Sequence, residues 1–306
     1  MDRIYDVGGH CFGLSGERLV EAVDGINGFG PFVREQETVP VKDWHEGDRS
    51  PEFVCCEGVG FPAFKRKSYL FGYEDVDGIF GAAEEGFLLE LAPKGEQPLF
   101  LRTTDETETG KGICLYGNYS PLLLRFALWM GYGLMTVGEN TAALHSSCIV
   151  HKGKAVLFLG ESGTGKSTHT RLWRENIAGS KLLNDDSPIV RYEEGAVWVY
   201  GSPWSGKTPC YKAERYPLAG CVRLSQAPCN RIRRLNVLQA YAALHPSAPP
   251  AFAYEEELYN GVCSLLEKLV SSVPVYHLEC LPDVAAVELA CHTLYECRDE
   301  RETDIE

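Results

Sequence analysis

The chain has 306 residues, 44% of them hydrophobic, and a formal net charge of −14. That length supports one large domain or two smaller ones with packed cores. The acidic balance excludes nonspecific binding to nucleic acid or to an anionic membrane surface, which need a basic field, so any phosphate site must build its own positive potential.

Residues 1 to about 115 read as β-rich. Short apolar stretches are separated by Gly8-Gly9, Gly28-Phe29-Gly30-Pro31, Gly58-Val59-Gly60 and Ala92-Pro93-Lys94-Gly95. The opening residues, Met1 to Asp6, are charged and lack the apolar core of a secretory signal. Phe87–Leu91 and Pro98–Leu101 read as neighbouring strands, and the charged stretch from Thr103 to Gly112 as a hairpin tip or mobile loop. Twelve cysteines include no C-x-x-C pair and no Cys/His set at zinc spacing. Adjacent Cys55 and Cys56 are poorly placed to bridge each other. Reduced thiols in a cytoplasmic protein are the expectation.

Leu122 to Val137 is mostly apolar, but Arg125 and Gly131-Tyr132-Gly133 interrupt it. It is too short and mixed for a membrane span of roughly 20 residues, and it reads as a buried helix. A boundary is expected here, between a β-rich region of residues 1–118 for substrate or partner binding and a nucleotide-binding domain of residues 119–306.

Ala143–Val150 then reads as a strand, with His151 exposed beside the turn Lys152-Gly153-Lys154. The strand-forming run Ala155–Leu159 feeds into Gly160-Glu161-Ser162-Gly163-Thr164-Gly165-Lys166-Ser167, which is G-x-x-x-x-G-K-[ST]. This pattern lets successive backbone N–H groups turn inward on a phosphate. Its lysine reaches the β- and γ-phosphates and its serine ligates magnesium, which implies ATP and Mg2+ as cofactors. Thr168 completes the binding segment and opens a helix whose positive dipole end faces the anion. His169, one residue on, is expected to line the site at most.

Lys181–Asn184 is an apolar run ending in the acids Asp185 and Asp186. At a strand end after such a helix, an acid holds magnesium, so Asp185 and Asp186 join Ser167 as candidate metal ligands. A pair allows one carboxylate to stay on the ion while the other accepts a proton from an attacking hydroxyl. His145 precedes the glycine-rich loop by one strand-turn-strand unit, so a hairpin would return it to the cradle, to orient the acids or meet a phosphate.

The glycine pattern recurs at Gly201-Ser202-Pro203-Trp204-Ser205-Gly206-Lys207-Thr208, again after a strand-like run, Val197–Tyr200. Pro203 has no N–H to give and Trp204 is bulky where the backbone must wrap closely. Pro217 and Gly220 leave little room for the long helix that follows a phosphate cradle. The second match is therefore expected as a loop at the same site. Cations recur at Lys207, Lys212, Arg215, Arg223, Arg231, Arg233 and Arg234; Lys207 and Arg223 adjoin apolar stretches and are the candidates to meet substrate or phosphate. Strands and helices are expected to alternate after the first glycine loop. Asp283 caps a last helix running through Leu294, and the charged tail from Arg298 is expected to fray.

The order Leu144-His145, strand-turn-strand, GESGTGKS, helix, Asn184-Asp185-Asp186 resembles the catalytic domain of HPr kinase/phosphorylase. ATP-dependent phosphoenolpyruvate carboxykinase shares that nucleotide-binding architecture and an Asp-Asp after the loop. STHTRLW, LLNDDSPIV, GSPWSGKTPCY and RLSQAPCNRIRRL resemble a bacterial branch of this group, and the likeness covers about residues 140 to 235. It implies an α/β (α+β) fold with a mixed, partly antiparallel sheet. By position it makes Lys166 the phosphate-binding lysine, Ser167 a magnesium ligand, Asp185 the general base, Asp186 its magnesium-linked neighbour and His145 the histidine ahead of the loop. The glycine-rich signature that HPr kinases carry after the acids is not visible, and neither are the carboxykinase's metal-binding lysine and histidine. The function implied is an ATP-dependent kinase acting on a hydroxyl, of a serine or a small molecule. A nucleotide-binding sensor or peptide-maturation accessory, and a carboxykinase-like enzyme, remain the alternatives. The acceptor and any assembly of copies of the chain stay open.

Overall fold

The computed structural model describes residues 2–34, 50–107, 109–206 and 208–295. They divide into two compact units, Met1–Glu139 with Ala251–Gly261, and Asn140–Pro250 with Val262–Glu306. The tail from Arg298 lies outside the described residues.

The first unit holds strands β1 (Arg3–Val7) and β2 (His10–Ser15), helix α1 (Glu17–Asp24), then β3 (Phe53–Glu57), β4 (Arg66–Tyr73), β5 (Val76–Ala82), β6 (Phe87–Pro93), β7 (Leu99–Thr104), β8 (Gly112–Gly117) and helix α2 (Pro121–Thr136). One eight-stranded sheet runs β1-β2-β3-β8-β7-β6-β5-β4. Only the β2–β3 and β3–β8 pairs are parallel; the rest are antiparallel, as short tight connections require.

Pro121 opens α2 in its first turn, where a missing N–H costs nothing. Its interior is apolar almost all round, and Leu123, Leu124, Ala127, Leu128 and Met130 are buried. Its buried hydroxyls are satisfied, Tyr132 donating to Val7 O and Thr136 to Tyr132 O, both at 2.9 Å. The sequence reading put the boundary at 118/119, ahead of this helix. In the structure the helix packs with the first unit, and a Cβ on its Gly131 would lie 2.3 Å from Ile113 Cδ1. Residues 251–261 join the same unit because buried Glu255 accepts hydrogen bonds from Arg66 and Ser68, while Phe252 lies against Gly133. Among the described residues no helix is long and apolar enough to cross a membrane, and the cysteines are free thiols.

The second unit begins with β9 (Thr141–Ala143), β10 (Ser146–His151) and β11 (Lys154–Leu159), followed by α3 (Lys166–Asn176). Then come β12 (Lys181–Asn184), β13 (Ile189–Glu193), β14 (Ala196–Tyr200), β15 (Arg215–Gln226), β16 (Arg231–Arg234) and α4 (Val237–Leu244). Helix α5 (Glu256–Ser272) starts in the first unit and ends in this one, before β17 (Val275–Cys280) and α6 (Val284–Tyr295). Five strands follow α3 without a helix between them, so the expected alternation of strands and helices does not hold.

The sheet is mixed. β11 is antiparallel to β10 and parallel to β15, which is parallel to β17; β12 pairs outside β10, and β16 outside β17. The twelve-residue β15 joins two halves, since its residues 215–217 pair with β14 and the stretch from Leu218 pairs with β11. This mixed, partly antiparallel α/β arrangement is the expected fold class.

Under one face of the sheet, Val156, Phe158, Val222, Leu224 and Leu278 pack with Trp173 of α3 and Val287, Ala290 and Leu294 of α6. Asp283 Oδ1 accepts from the Ala286 amide at 2.9 Å and caps α6. His151 is buried, not exposed. It ends β10 and meets the rings of Trp173 and Tyr295 edge-on, and burial lowers its pKa first, with Lys152 adding to the effect.

Candidate active site

The glycine-rich loop leaves the carboxyl end of β11, an internal strand of the sheet, and enters α3 directly. Gly163 (φ 83) and Gly165 (φ 103) hold left-handed backbone that a side chain would strain. A Cβ at Gly160 would fall 2.5 Å from Thr164 Oγ1, which is tied to Glu161 O at 2.8 Å. No side chain caps the eleven-residue α3. Its first amides lack intrahelical acceptors, and an open helix N-terminus of this length suits an anion. Ser167 is exposed in that first turn.

Lys166 Nζ reaches three acceptors: Gly160 O at 2.7 Å, Glu161 O at 3.2 Å and His145 Nε2 at 3.1 Å. His145 Nδ1 lies 3.3 Å from Asp186 Oδ1. The ring therefore stands between the ammonium and the carboxylate, with one nitrogen turned towards each. The hairpin explains the meeting. β10 and β11 pair Ser146 with Leu159, which sets His145 opposite the first residue of the glycine loop. Burial holds the Lys166 ammonium below its ordinary range, against the raising pull of Asp186 and Asp185.

The acids follow β12, two strands from the loop. Asn184 Oδ1 accepts from the amides of both Asp186 and Ser187 at 2.9 Å, a turn that fixes where the carboxylates project. Asp186 Oδ2 accepts from Ser187 Oγ at 3.0 Å. Asp185 is buried; its Oδ1 accepts from Ser147 Oγ, and its Oδ2 has no hydrogen-bond partner. Among the described residues this is the one carboxylate oxygen left buried and unsatisfied, and such an atom normally meets a ligand, ion or water.

The second glycine pattern follows β14 and leads to β15 with no helix between. It packs on the acids. A Cβ at Gly206 would fall 2.8 Å from Asp185 O and 3.2 Å from Asp186 Cβ. Asn184 Nδ2 donates to Ser202 Oγ at 3.1 Å and Trp204 O at 3.0 Å, so this loop offers acceptors where the first offers amides. Lys207 lies outside the described residues.

Arg223 sits on β15 beside Leu159, the last residue before the glycine loop. Its Nη1 donates to Ala243 O at 3.3 Å and its Nη2 is 3.8 Å from Glu161 Oε1. His169 does not line the cradle. It is buried against Phe158, accepts from Trp173 Nε1 at 3.1 Å, and burial pushes its pKa down to about 4.

Sequence reasoning therefore located Lys166, His145, Asp185 and Asp186, which the structure brings together. It missed Ser147, the residue that holds Asp185. The available signal was the alternation His145–Ser147 on the strand whose hairpin returns His145 to the glycine loop. It also missed Gly206, whose closeness to Asp185 is purely tertiary.

No protein-family model matches this chain, and no curated protein matches its sequence. Among solved structures, it is similar to that of the Hpr(Ser) kinase/phosphatase from Coxiella burnetii, at 13% identity with a TM-score of 0.31. The similarity covers 53% of this chain and 98% of the other. At that score the reading of function rests on the site itself.

Proposed function

We propose that the second unit binds ATP with magnesium along Gly160–Thr168 and transfers the γ-phosphate to a hydroxyl acceptor. One observation carries the reading: a line of polar contacts, the Lys166–His145 hydrogen bond and the 3.3 Å approach of His145 to Asp186, joins the glycine loop to the acid pair.

The residues suit the groups they would hold. The uncapped α3 terminus and the left-handed Gly163 and Gly165 suit a phosphate, and the ammonium of Lys166 adds the charge that an acidic chain must supply locally. Among the described residues no cluster of three or more His, Cys, Asp or Glu is built to hold a metal. Magnesium does not require one, because it is bound by one or two carboxylates together with phosphate oxygens and water. Ser167 and Asp186 would hold it, and it would supply neutralisation of phosphate charge.

In the transfer, the acceptor oxygen forms a bond to the γ-phosphorus while the bond from that phosphorus to the bridging oxygen breaks, and ADP leaves with that oxygen. The hydroxyl proton passes to Asp185 Oδ2, the buried oxygen that has no other partner. Ser147 holds the other oxygen and fixes the carboxylate's direction. Lys166 stabilises charge on the transferring group, and His145 keeps that lysine and Asp186 in register.

The test is γ-phosphate transfer from labelled ATP to water, an added alcohol or a seryl peptide. Asp185→Asn is expected to lose transfer while keeping ATP affinity. Equal turnover by wild type and variant would remove Asp185 as the base. ATP binding with no turnover in wild type would replace the kinase reading by one of nucleotide sensing.

A further inference from the structure

Across β11, β15, β17 and β16 one row of residues runs Leu159, Arg223, His277, Arg233, each in register with the next. Register-paired residues project to the same side of a sheet, opposite to the face that carries Val222, Leu224 and Leu278. The row starts where the glycine loop begins, and it lies on the flank of β11 away from β10, β12 and the acids. It also lies near the carboxyl ends of three parallel strands, where open α/β sheets bind ligands.

The cations of this row are poorly compensated. Arg233 is exposed, and among the described residues its guanidinium meets only neutral groups, Gln239 Oε1 at 3.4 Å and His277 Nδ1 at 3.5 Å. Among the described residues the nearest carboxylate oxygen to Arg223 is Glu161 Oε1 at 3.8 Å, on a side chain that is itself 82% exposed. His277 Nε2 lies 2.8 Å from Ser225 Oγ. Because Arg233 can only donate to Nδ1, the imidazole is neutral and Nε2–H is the donor to Ser225. Burial and the neighbouring Arg233 lower the His277 pKa, with Arg223 acting in the same direction and Glu279 against it. One row further on, Ser225, Glu279 and Arg231 are in register, so a single acid stands among four bases. The last residue of β15 is tied to the loop, since Gln226 Nε2 donates to Gly163 O at 3.3 Å.

A chain carrying a net charge of −14 has carboxylates to spare, yet two arginines in this row face neutral groups or a distant acid. The backbone positions of Arg223 and Arg233 are about 10 Å apart across two strand spacings, with an imidazole and a hydroxyl between them, and two long guanidinium side chains on one face suit the oxygens of a phosphate group. We propose that Arg223, Ser225, His277 and Arg233 form a phosphate-binding row on the flank of the glycine loop opposite the acids. The phosphate has two sources: the far end of a nucleotide seated in the loop, or a separate phosphate-bearing molecule. Only the first source rests on reading Gly160–Thr168 as the nucleotide cradle.

The experiment is calorimetric titration of the full chain with inorganic phosphate and, separately, with ATP and magnesium. It compares wild type, Arg233→Gln, the double variant Arg223→Gln/Arg233→Gln, and Lys166→Ala, with circular dichroism and Arg233→Lys as controls for folding. Loss of an arginine–phosphate contact is expected to weaken binding at least about tenfold. If the phosphate belongs to the nucleotide, Arg233→Gln weakens ATP. If it is separate, wild type binds inorganic phosphate with ATP already saturating, Arg233→Gln loses that phosphate, and Lys166→Ala keeps it. Affinities for both probes within about twofold of wild type in the folded arginine variants would overturn the proposal. Lys166→Ala with unchanged ATP affinity, beside loss of phosphate in Arg233→Gln, would sink the cradle reading and leave the row standing.

Discussion

Gly160–Ser167 and Gly201–Thr208 satisfy one pattern and follow strands of one unit, and both approach the same acid pair, the first through His145 and the second at Gly206. They differ in what their backbones present. The first bends through left-handed glycines into an uncapped helix and exposes amide donors. Neither Gly201 nor Gly206 has a positive φ, the chain goes on to β15, and Trp204 turns a carbonyl toward Asn184. Amide donors suit a phosphate, whereas the second loop holds the turn of a carboxylate pair. Identical letters therefore give two different backbones, and the element that follows decides which.

Breaking that division at the acids gives the largest expected effect. Asp185→Asn lowers γ-phosphate transfer by about 10²- to 10⁴-fold with ATP affinity retained, measured as turnover beside equilibrium binding. Loss of binding and turnover together would assign Asp185 to the cradle instead.

The helix that separates the two loops carries a pH signature. Burial holds folded His169 at about 4 against 6.5 for a free imidazole. Between those values the unfolded chain takes up a proton that the folded chain refuses, so stability falls as pH drops from 6.5 towards 4. The loss is roughly 2–4 kcal/mol in total. Denaturant titrations across that window should show His169→Gln with a flatter dependence than wild type; parallel curves would contradict it.

Gly206→Ala tests the second loop. The added Cβ cannot clear Asp185 O at 2.8 Å without moving the acids. Transfer is expected to fall about tenfold, with ATP affinity within about twofold of wild type. The smallest effect is expected from His145→Gln. Lys166 keeps Gly160 O and Glu161 O as acceptors, so transfer should fall by only about twofold to tenfold.

Local chemistry made much of this site legible. A strand, a glycine-rich turn and a helix are contiguous in sequence, and a two-strand hairpin was enough to bring His145 back to Lys166. What was hidden depends on contacts between distant segments. Ser147 acquires its role only when β12 pairs with β10, and Gly206 only when its loop folds over Asp185. His151 looked exposed beside a lysine-glycine turn, yet α3 and α6 cover it with Trp173 and Tyr295. The same holds for the first unit, whose eight strands were foreshadowed by their punctuation. Its claim on residues 251–261 was not, because Glu255 meets Arg66 and Ser68 across more than 180 residues of chain.

The account stands on the first loop being the nucleotide cradle and the second not. Equilibrium titration of ATP with magnesium into wild type, Lys166→Ala and Gly206→Ala addresses this most directly. Lys166→Ala is expected to weaken binding by about tenfold to a hundredfold while Gly206→Ala stays within about twofold. Unchanged affinity in Lys166→Ala, or a loss confined to Gly206→Ala, would contradict it.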